Sequence, residues 1–271
     1  MSNFIKKSLT LTVSLITISF TLIPESMFGK YKLISNVSDG KNILLNRLLI
    51  CIFVFSISSL YLHYRKKIIL KGHNYIIDIE YGDLFKMHDC KKVIDFDECF
   101  TTSVGNEPSE IKPGSICGQY LEKNPIQDIQ SLIDKAKLKP SKTNSKYENK
   151  ERYESGKLIP NGDYLLMAFA KLDKDGLGIM SRDEFIDCLS VLWQEIDKYY
   201  GQEDVCIPIL GSGLTRMNGD GSLFKKQELL DMIIYSYKLS SHKIKSPNKL
   251  HIVCKKCKDD DFSLNKIGTS I

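Results

Sequence analysis

An apolar run at residues 43–64 (ILLNRLLICIFVFSISSLYLHY) limits the fold of this chain more than any other feature. A helix rises about 1.5 Å per residue, so roughly 20 residues cross the ~30 Å hydrocarbon core of a membrane. Tyr61 and Tyr64 stand beside the basic residues 65–67, a pattern typical of a helix end at the membrane surface. The run therefore predicts a membrane-spanning helix.

A second apolar segment, residues 8–28, precedes this run and is long enough to cross a membrane as well. A short polar connection joins the two, so residues 1–70 are predicted to form a two-helix transmembrane hairpin. A cleaved signal peptide is the alternative for the first segment, although the PESMFG that follows lacks a small-x-small cleavage pattern.

The cysteines and the flanking charges bear on orientation. Basic residues at both outer ends of the hairpin favour the cytosol, while lysines in the connection weaken that signal. Of the eight cysteines, Cys51 lies in an apolar run and Cys99, Cys188 and Cys206 in predicted strands or helices, which fits reduced, buried thiols. Cys254 and Cys257 form one CxxC without a second pair, so no zinc site is predicted. We expect a multi-pass cell-membrane protein with its soluble domain in the cytoplasm.

The net charge of +5 is spread along the chain without a basic stripe interleaved with aromatic residues. This distribution argues against a nucleic-acid partner.

From residue 71 onward the pattern changes to alternating strands and helices. Strands are predicted at 75–80, 92–96, 163–171, 205–210 and 250–254, and helices after Asn124-Pro125, from the capping box 181–184 and from about Ser222. The polar segment 139–157 is predicted to be a mobile insertion. Residues 71–271 thus indicate an α/β domain, three layers α/β/α with a mixed, largely parallel sheet.

A glycine turn follows the predicted strand at 205–210. Strand, Gly211-Ser212-Gly213 and helix come in an order that places backbone N–H groups at a helix N-terminus, where anions bind. An ordinary βα turn is the alternative. Ligands of such sheets bind beyond the strand C-termini, so this turn, Gly82-Asp83 and the loop 97–118 should converge.

Residues 173–184 (DKDGLGIMSRDE) come close to a calcium-binding EF-hand loop. Leu177, however, occupies a position that needs an oxygen ligand, and the preceding segment is predicted to be a strand. A turn followed by a capped helix explains the same residues, and we predict no metal site.

The order of the motifs GDL (82–84), KVIDFDECF (92–100), SICG (115–118) and ILGSGL (209–214) resembles a macro domain, the ADP-ribose-binding fold. Together with the predicted hairpin, the chain is similar to the membrane-anchored macro-domain effectors of type II Thoeris anti-phage defence. The resemblance covers nearly the whole chain, and the motifs are specific through their order rather than singly.

The resemblance implies a ligand site. Asp83 would accept from the adenine amino group, with the Leu84 N–H nearby, and Asp97 and Glu98 would lie at the distal ribose. Two loops would meet the phosphates, the first formed by Ser115, Ile116, Cys117 and Gly118, and the second by Gly211, Ser212, Gly213, Leu214, Thr215 and Arg216.

Two residues depart from the family pattern. Asp97 stands where an Asn is common and Cys117 where a His is common, which puts hydrolysis of ADP-ribosyl bonds in doubt. The acidic Asp97 suggests a ligand with a donor or a positive charge near the distal ribose.

The resemblance implies a non-enzymatic effector that binds a signal, a histidine–ADP-ribose conjugate, made by a TIR-domain partner. The bound effector would oligomerise, disrupt the membrane and cause abortive infection. A membrane-tethered ADP-ribosyl hydrolase is the alternative, with Asp97, Glu98 and Cys117 as the candidates for its chemistry. A calcium-responsive membrane protein is a third hypothesis.

Overall fold

The structure is a computed structural model, and it describes residues 3–30, 34, 38–213, 215–216, 225–240, 243–255 and 262–267. The chain divides into two compact units, of which the first comprises Met1–Lys66 and Ser263–Ile271 and the second Lys67–Phe262. The chain therefore passes between the units twice, after Lys66 and after Phe262.

The first unit contains three helices. They are α1 (Asn3–Leu22), α2 (Glu25–Gly29) and α3 (Asp39–Tyr64). By length and composition, Phe4–Leu22 and Asp39–Tyr64 can cross a membrane. The apolar run of residues 43–64 thus begins one turn inside α3.

Helices α1 and α3 form an antiparallel hairpin. Near one end the hydroxyls of Ser8 and Ser59 are 2.7 Å apart. Near the other end, Asn46 Nδ2 donates to the carbonyl of Phe28 at 2.7 Å, and the Arg47 guanidinium pairs with Glu25 at 3.3 Å. Polar contacts thus join α3 to α1 at one end of the hairpin and to α2 at the other.

Eight strands among the described residues form one sheet in the second unit, in the order β1-β2-β8-β7-β3-β5-β4, with β6 paired to β5. They are β1 (Lys67–Lys71), β2 (Ile76–Tyr81), β3 (Cys90–Asp97), β4 (Leu158–Asn161), β5 (Tyr164–Leu172), β6 (Gly178–Ile179), β7 (Asp204–Pro208) and β8 (Leu250–Cys254). Strands β2, β8, β7, β3 and β5 are parallel, whereas β1, β4 and β6 pair antiparallel. The predicted mixed sheet is confirmed.

Helices cover both faces of this sheet. They are α4 (Ile116–Lys123), α5 (Ile129–Lys135), α6 (Arg182–Tyr199) and α7 (Lys226–Leu239). On one face, Phe96 of β3 packs with Tyr120 of α4 and Ile133 of α5 in one buried cluster. On the other, α6 packs on α7, and the rings of Trp193 and Tyr237 lie 5.1 Å apart. These are the three predicted layers.

The edge strand β1 is held to β2 by charge as well as by pairing. Asp78 on β2 is 1% exposed, and the ammonium of Lys67 lies 2.8 Å from its Oδ2. His251 on β8 lies beside the same carboxylate, and its Nε2 forms a hydrogen bond with Asp204 Oδ2 at 2.9 Å. Burial alone raises the pKa of Asp78, but Lys67 and its cationic neighbours more than offset this and lower it. Strand β1 was not predicted, because its first residue belongs to the basic flank of the apolar run.

The local signals at α6 were correct and those at α5 were not. Ser181 and Glu184 form the predicted capping box at the start of α6. Helix α5, however, is capped by Asp128, which accepts from Ser131 N at 3.1 Å, whereas Asn124 ends α4. The predicted loop 97–118 is also shorter, since α4 already begins at Ile116.

The segment 139–157 was predicted to be mobile, and the structure contradicts this. Ser141 N donates to the carbonyl of Arg152 at 2.8 Å, and Tyr153 N donates to the carbonyl of Glu98 at 2.8 Å. The segment is irregular, but it is bonded to itself and to the end of β3.

Candidate functional site

The candidate site lies at the C-terminal ends of the parallel strands. Strand β3 pairs with β7 only from Cys90 to Lys92, so the two strands share no pairing closer to this edge. The pairing of β3 with β5 shifts by one residue between Phe96 and Asp97. Together these irregularities leave the sheet open where β3 ends.

The turn after β2 is built around Asp83. Gly82 N donates to the carbonyl of Cys254 at 3.1 Å, which ties the turn to the end of β8. Asp83 Oδ1 accepts from Phe85 N at 3.0 Å and so begins a 3-10 turn, Leu84–Lys86. Asp83 is exposed, whereas Leu84 is buried in one cluster with Cys117 of α4. The first motif and the first phosphate-side loop therefore lie side by side.

Asp97 closes the turn that follows β3. Its Oδ1 accepts from Cys99 N at 2.8 Å and from Thr101 N at 3.2 Å. Burial raises the pKa of Asp97, and these hydrogen bonds lower it only in part.

Glu98 is 1% exposed, and both of its carboxylate oxygens have protein partners. Oε1 accepts from Ser145 Oγ at 2.5 Å and from Leu172 N at 3.1 Å, and Oε2 accepts from Arg152 Nη1 at 3.1 Å. The contact of Glu98 with a ligand stays a prediction. Its observed role is to fasten the segment 139–157 to the ends of β3 and β5.

The N-terminus of α4 forms the next part of this edge. Ser115 caps the helix, because its Oγ accepts from Gly118 N at 2.9 Å and donates to the carbonyl of Lys112 at 2.7 Å. A Cβ at Gly118 would lie 2.2 Å from that same carbonyl oxygen, so only glycine fits there. The amides of Ile116 and Cys117 lie in the first helical turn, where N–H groups lack partners within the helix.

The glycine turn follows β7 at the same edge. Gly211 has φ +73°, a conformation that favours glycine, whereas Gly213 is exposed. Arg216 is anchored through its backbone, since its N–H donates to Gly178 O and its carbonyl accepts from Met180 N, both at 2.9 Å. Ser212 and Thr215 lie in this turn, and Leu214 is outside the described residues.

The turns at Asp83, Asp97, Ser115 and Gly211 therefore all lie at one edge of the sheet. Three features of this edge were not predicted from the sequence. They are the hydrogen bonds from Ser145 and Arg152 to Glu98, the pairing of Arg216 with β6, and the presence of the Asp95 carboxylate on β3. Asp95 stands on β3 two residues before Asp97, and burial raises its pKa to about 6. A carboxylate inside a buried strand was the available signal for Asp95.

Burial disfavours ionisation of the two thiols at this edge, Cys117 and Cys99. Burial raises the pKa of Cys117 well above the ordinary thiol value, so this thiol keeps its proton near neutral pH. Burial and the charge of Asp97 raise the pKa of Cys99 to about 12. Within the described part of the chain, no group of three His, Cys, Asp or Glu side chains is placed to hold a metal.

In the loop 173–184, which resembles a calcium-binding loop, backbone amides already bind the first carboxylate. Asp173 Oδ1 accepts from the amides of Asp175 and Leu177, both at 2.9 Å, and the preceding element is strand β5. The strand predicted before this loop is confirmed.

A mixed sheet between two helical layers, with several turns gathered at its strand ends, fits the fold of a macro domain. A family model described as "Thoeris protein ThsA, Macro domain" matches residues 77–255. The chain belongs to this family. It is 30% identical over 187 residues to Thoeris protein ThsA of Bacillus amyloliquefaciens (strain Y2), an alignment that covers 65% of this chain and 61% of that protein.

Solved macrodomain structures are more distant. The Oceanobacillus iheyensis macrodomain with ADP is 10% identical, with a TM-score of 0.47 over 70% of this chain and 88% of that one. A mutant of the same macrodomain with ADPR is 9% identical, with a TM-score of 0.47 over 70% and 90%. The chain spans about three fifths of the length of that ThsA protein, and its family membership follows from the family-model match.

Proposed function

We propose that this protein is a membrane-anchored sensor of Thoeris anti-phage defence whose macro domain binds an ADP-ribose-type nucleotide. The glycine turn carries the proposal. Apart from Gly213 and its two chain neighbours, no described residue has an atom within 4 Å of the Cβ position of Gly213, so a diphosphate has room to approach the backbone there. Membership of the ThsA macro-domain family supports the same ligand class.

The ligand lies along the strand-end edge in this proposal. Asp83 accepts from the adenine amino group, because it is exposed at the start of its turn. The loops 115–118 and 211–216 bind the diphosphate through backbone N–H groups and through Arg216. Asp97 faces the distal ribose.

The conjugated group of the ligand is a histidine in this proposal, and a TIR-domain partner produces the conjugate. The α-amino group of histidine is a cation at neutral pH, and an acidic residue at the distal end favours it electrostatically. Asp97 and Asp95 are the two carboxylates that β3 carries toward this end of the sheet.

The response takes place in the membrane. Both α1 and α3 span the bilayer in this proposal, and the macro domain lies in the cytoplasm. Ligand binding then drives several copies together, so that the hairpins disrupt the membrane and the infected cell dies.

Calorimetry on the full-length protein in detergent tests the proposal. ADP-ribose, histidine–ADP-ribose and AMP are titrated separately, and chromatography shows whether each nucleotide stays intact. We expect saturable binding, tightest for the histidine conjugate, with no turnover. Absence of binding by both ADP-ribose compounds would refute the sensor, and hydrolysis of the conjugate would establish the hydrolase instead.

A further inference from the structure

The C-terminal segment of the chain is packed within the same unit as the hairpin. Residues 263–267 include the 3-10 turn Leu264–Lys266, and the Asn265 N–H donates to the Ser263 hydroxyl at 3.2 Å. Leu264, Asn265 and Ile267 are only 2%, 8% and 7% exposed. Two apolar side chains and one amide are thus removed from solvent by a short piece of chain.

This segment contacts the two helices where α1 begins and α3 ends. Asn265 Nδ2 donates to the carbonyl of Leu62 at 3.0 Å, and Lys7 Nζ donates to the carbonyl of Ile267 at 3.1 Å. The last four carbonyls of a helix lack partners within the helix, and Leu62 supplies one of them. The segment therefore supplies a hydrogen-bond donor to a carbonyl at the end of α3, which otherwise needs a donor from water or a lipid headgroup.

We propose that residues 263–267 form an intramolecular clasp, which binds the ends of α1 and α3 and holds the hairpin in a resting arrangement. The clasp binds through the Asn265 amide and the apolar side chains of Leu264 and Ile267. It leaves this surface when the hairpin rearranges in the membrane, and this second step rests on the proposed function.

The residue before the clasp is anchored in the macro domain. The rings of Phe262 and Tyr81 pack edge to face with their centres 5.8 Å apart. Tyr81 ends β2, and the next two residues are the Gly82-Asp83 turn of the candidate site. A ligand that shifts this turn therefore acts on the residue to which the clasp is covalently joined.

The clasp occupies a surface that has other potential occupants. A second copy of the hairpin could cover the ends of α1 and α3, and so could lipid. Cross-linking distinguishes these cases, because only the clasp joins position 7 to position 267 of the same chain.

The test uses the full-length protein in lipid vesicles with the pair Lys7→Cys and Ile267→Cys. A bis-methanethiosulfonate reagent joins the two thiols, and a reductant releases them. We expect a cross-link within one chain, absent from each single variant, and a slower cross-linking rate when histidine–ADP-ribose is bound. A cross-link only between chains, or none at all, would overturn the clasp, and a rate unchanged by bound nucleotide would overturn its release by the ligand.

Dye release from the same vesicles tests what the clasp holds back. We expect the protein cross-linked between positions 7 and 267, called the locked form, to bind nucleotide with wild-type affinity. It should release dye at least ~10-fold more slowly than the same protein without the cross-link, and reductant should restore the release. Equal release from the locked and reduced forms would overturn the proposal. Failure of every form to bind nucleotide would instead count against the proposed function.

A second variant opens the clasp without any nucleotide. Leu264→Asp places a charge at a site that is 2% exposed, which disfavours docking. We expect this variant to self-associate in detergent without ligand, as judged by its sedimentation. A Leu264→Asp protein with wild-type protease protection of its C-terminus and wild-type mass would contradict the clasp, whatever the nucleotide assays give.

Discussion

Arg152 Nη1 lies 3.1 Å from Glu98 Oε2, and this contact joins the segment 139–157 to the end of β3. The Glu98 side chain is 2% exposed and that of Arg152 is 24% exposed. The pair is therefore largely removed from water, and its partners cannot be exchanged for solvent without cost. A segment without helix or strand is in this way fixed to the end of β3.

Glu98→Ala should destabilise the macro domain, because it leaves Arg152 and the Ser145 hydroxyl without their partner. The free energy of unfolding should fall by about 2–4 kcal/mol. Urea unfolding of the full-length protein in detergent measures this, with Glu148→Ala as the control. Glu148 pairs with Lys150 at the surface, so its replacement should change the free energy of unfolding far less than Glu98→Ala does. Equal effects of the two variants would show that the Glu98 contacts contribute nothing.

Asp95→Asn should stabilise the protein at neutral pH and not at acid pH. The pKa of Asp95 is raised from 3.8 to about 6 by burial, so the folded state favours the protonated form. Below the unfolded pKa both states are protonated and the residue costs nothing. As the pH rises from about 4 to about 6 the cost grows, and it is complete above that range.

The gain from Asp95→Asn should therefore be about 1–3 kcal/mol at pH 7 and near zero at pH 4. Denaturant melts at the two pH values measure it. Asp163→Asn is the control, since that carboxylate is 72% exposed beside Lys91. A gain of the same size at both pH values would contradict the assignment of the cost to ionisation.

Gly213→Glu should weaken nucleotide binding strongly while leaving the fold intact. The site of the new side chain is open, so the structure tolerates it, but the carboxylate repels a diphosphate. We expect a loss on the order of 2–5 kcal/mol, or ~30-fold or more in affinity. Calorimetry measures the affinity, and Gly213→Ala, which adds no charge, should lose far less. A folded Gly213→Glu protein with wild-type affinity would exclude this turn from the site.

Calcium should leave the melting temperature unchanged. The Asp173 carboxylate oxygen that would bind the ion already accepts two backbone amides, and Leu177 supplies no ligand. Thermal melts with and without ~5 mM calcium, with magnesium as the ionic-strength control, check this. A rise specific to calcium would mean that the loop rearranges around the ion.

A cysteine at Ser38 should react with an impermeant thiol reagent added to intact cells. Ser38 caps α3 in the connection of the hairpin and is exposed. Lys146→Cys on the macro domain is the control, and it should react only after lysis. Reaction at position 146 but not at position 38 would reverse the proposed orientation.

Local signals predicted much of this fold. Helix α6 follows from its capping box and its apolar face, and β8 from an apolar run of the right length. The cap of α5 was misplaced because two polar residues, Asn124 and Asp128, flank Pro125, and only the course of α4 decides between them. The ordered state of 139–157 depends on Glu98, far away in sequence, and no local pattern carries that contact.

The positions of the site turns could be predicted because parallel strands end at one edge. Their internal bonds could not. The anchoring of Arg216 to β6 depends on a strand of two residues, too short for any periodicity. The departure of β3 from β7 beyond Lys92 depends on how both strands pack against their other neighbours.

The double passage of the chain between the units determines where a soluble fragment can be cut. A fragment that begins after β1 uncovers the edge of β2 and removes Lys67, the cation that lies on the buried Asp78. A fragment that continues beyond Phe262 keeps Leu264 and Ile267 without the helices that bury them. Residues 67–262 are therefore the span to express for crystallisation or NMR, and longer or shorter spans should aggregate.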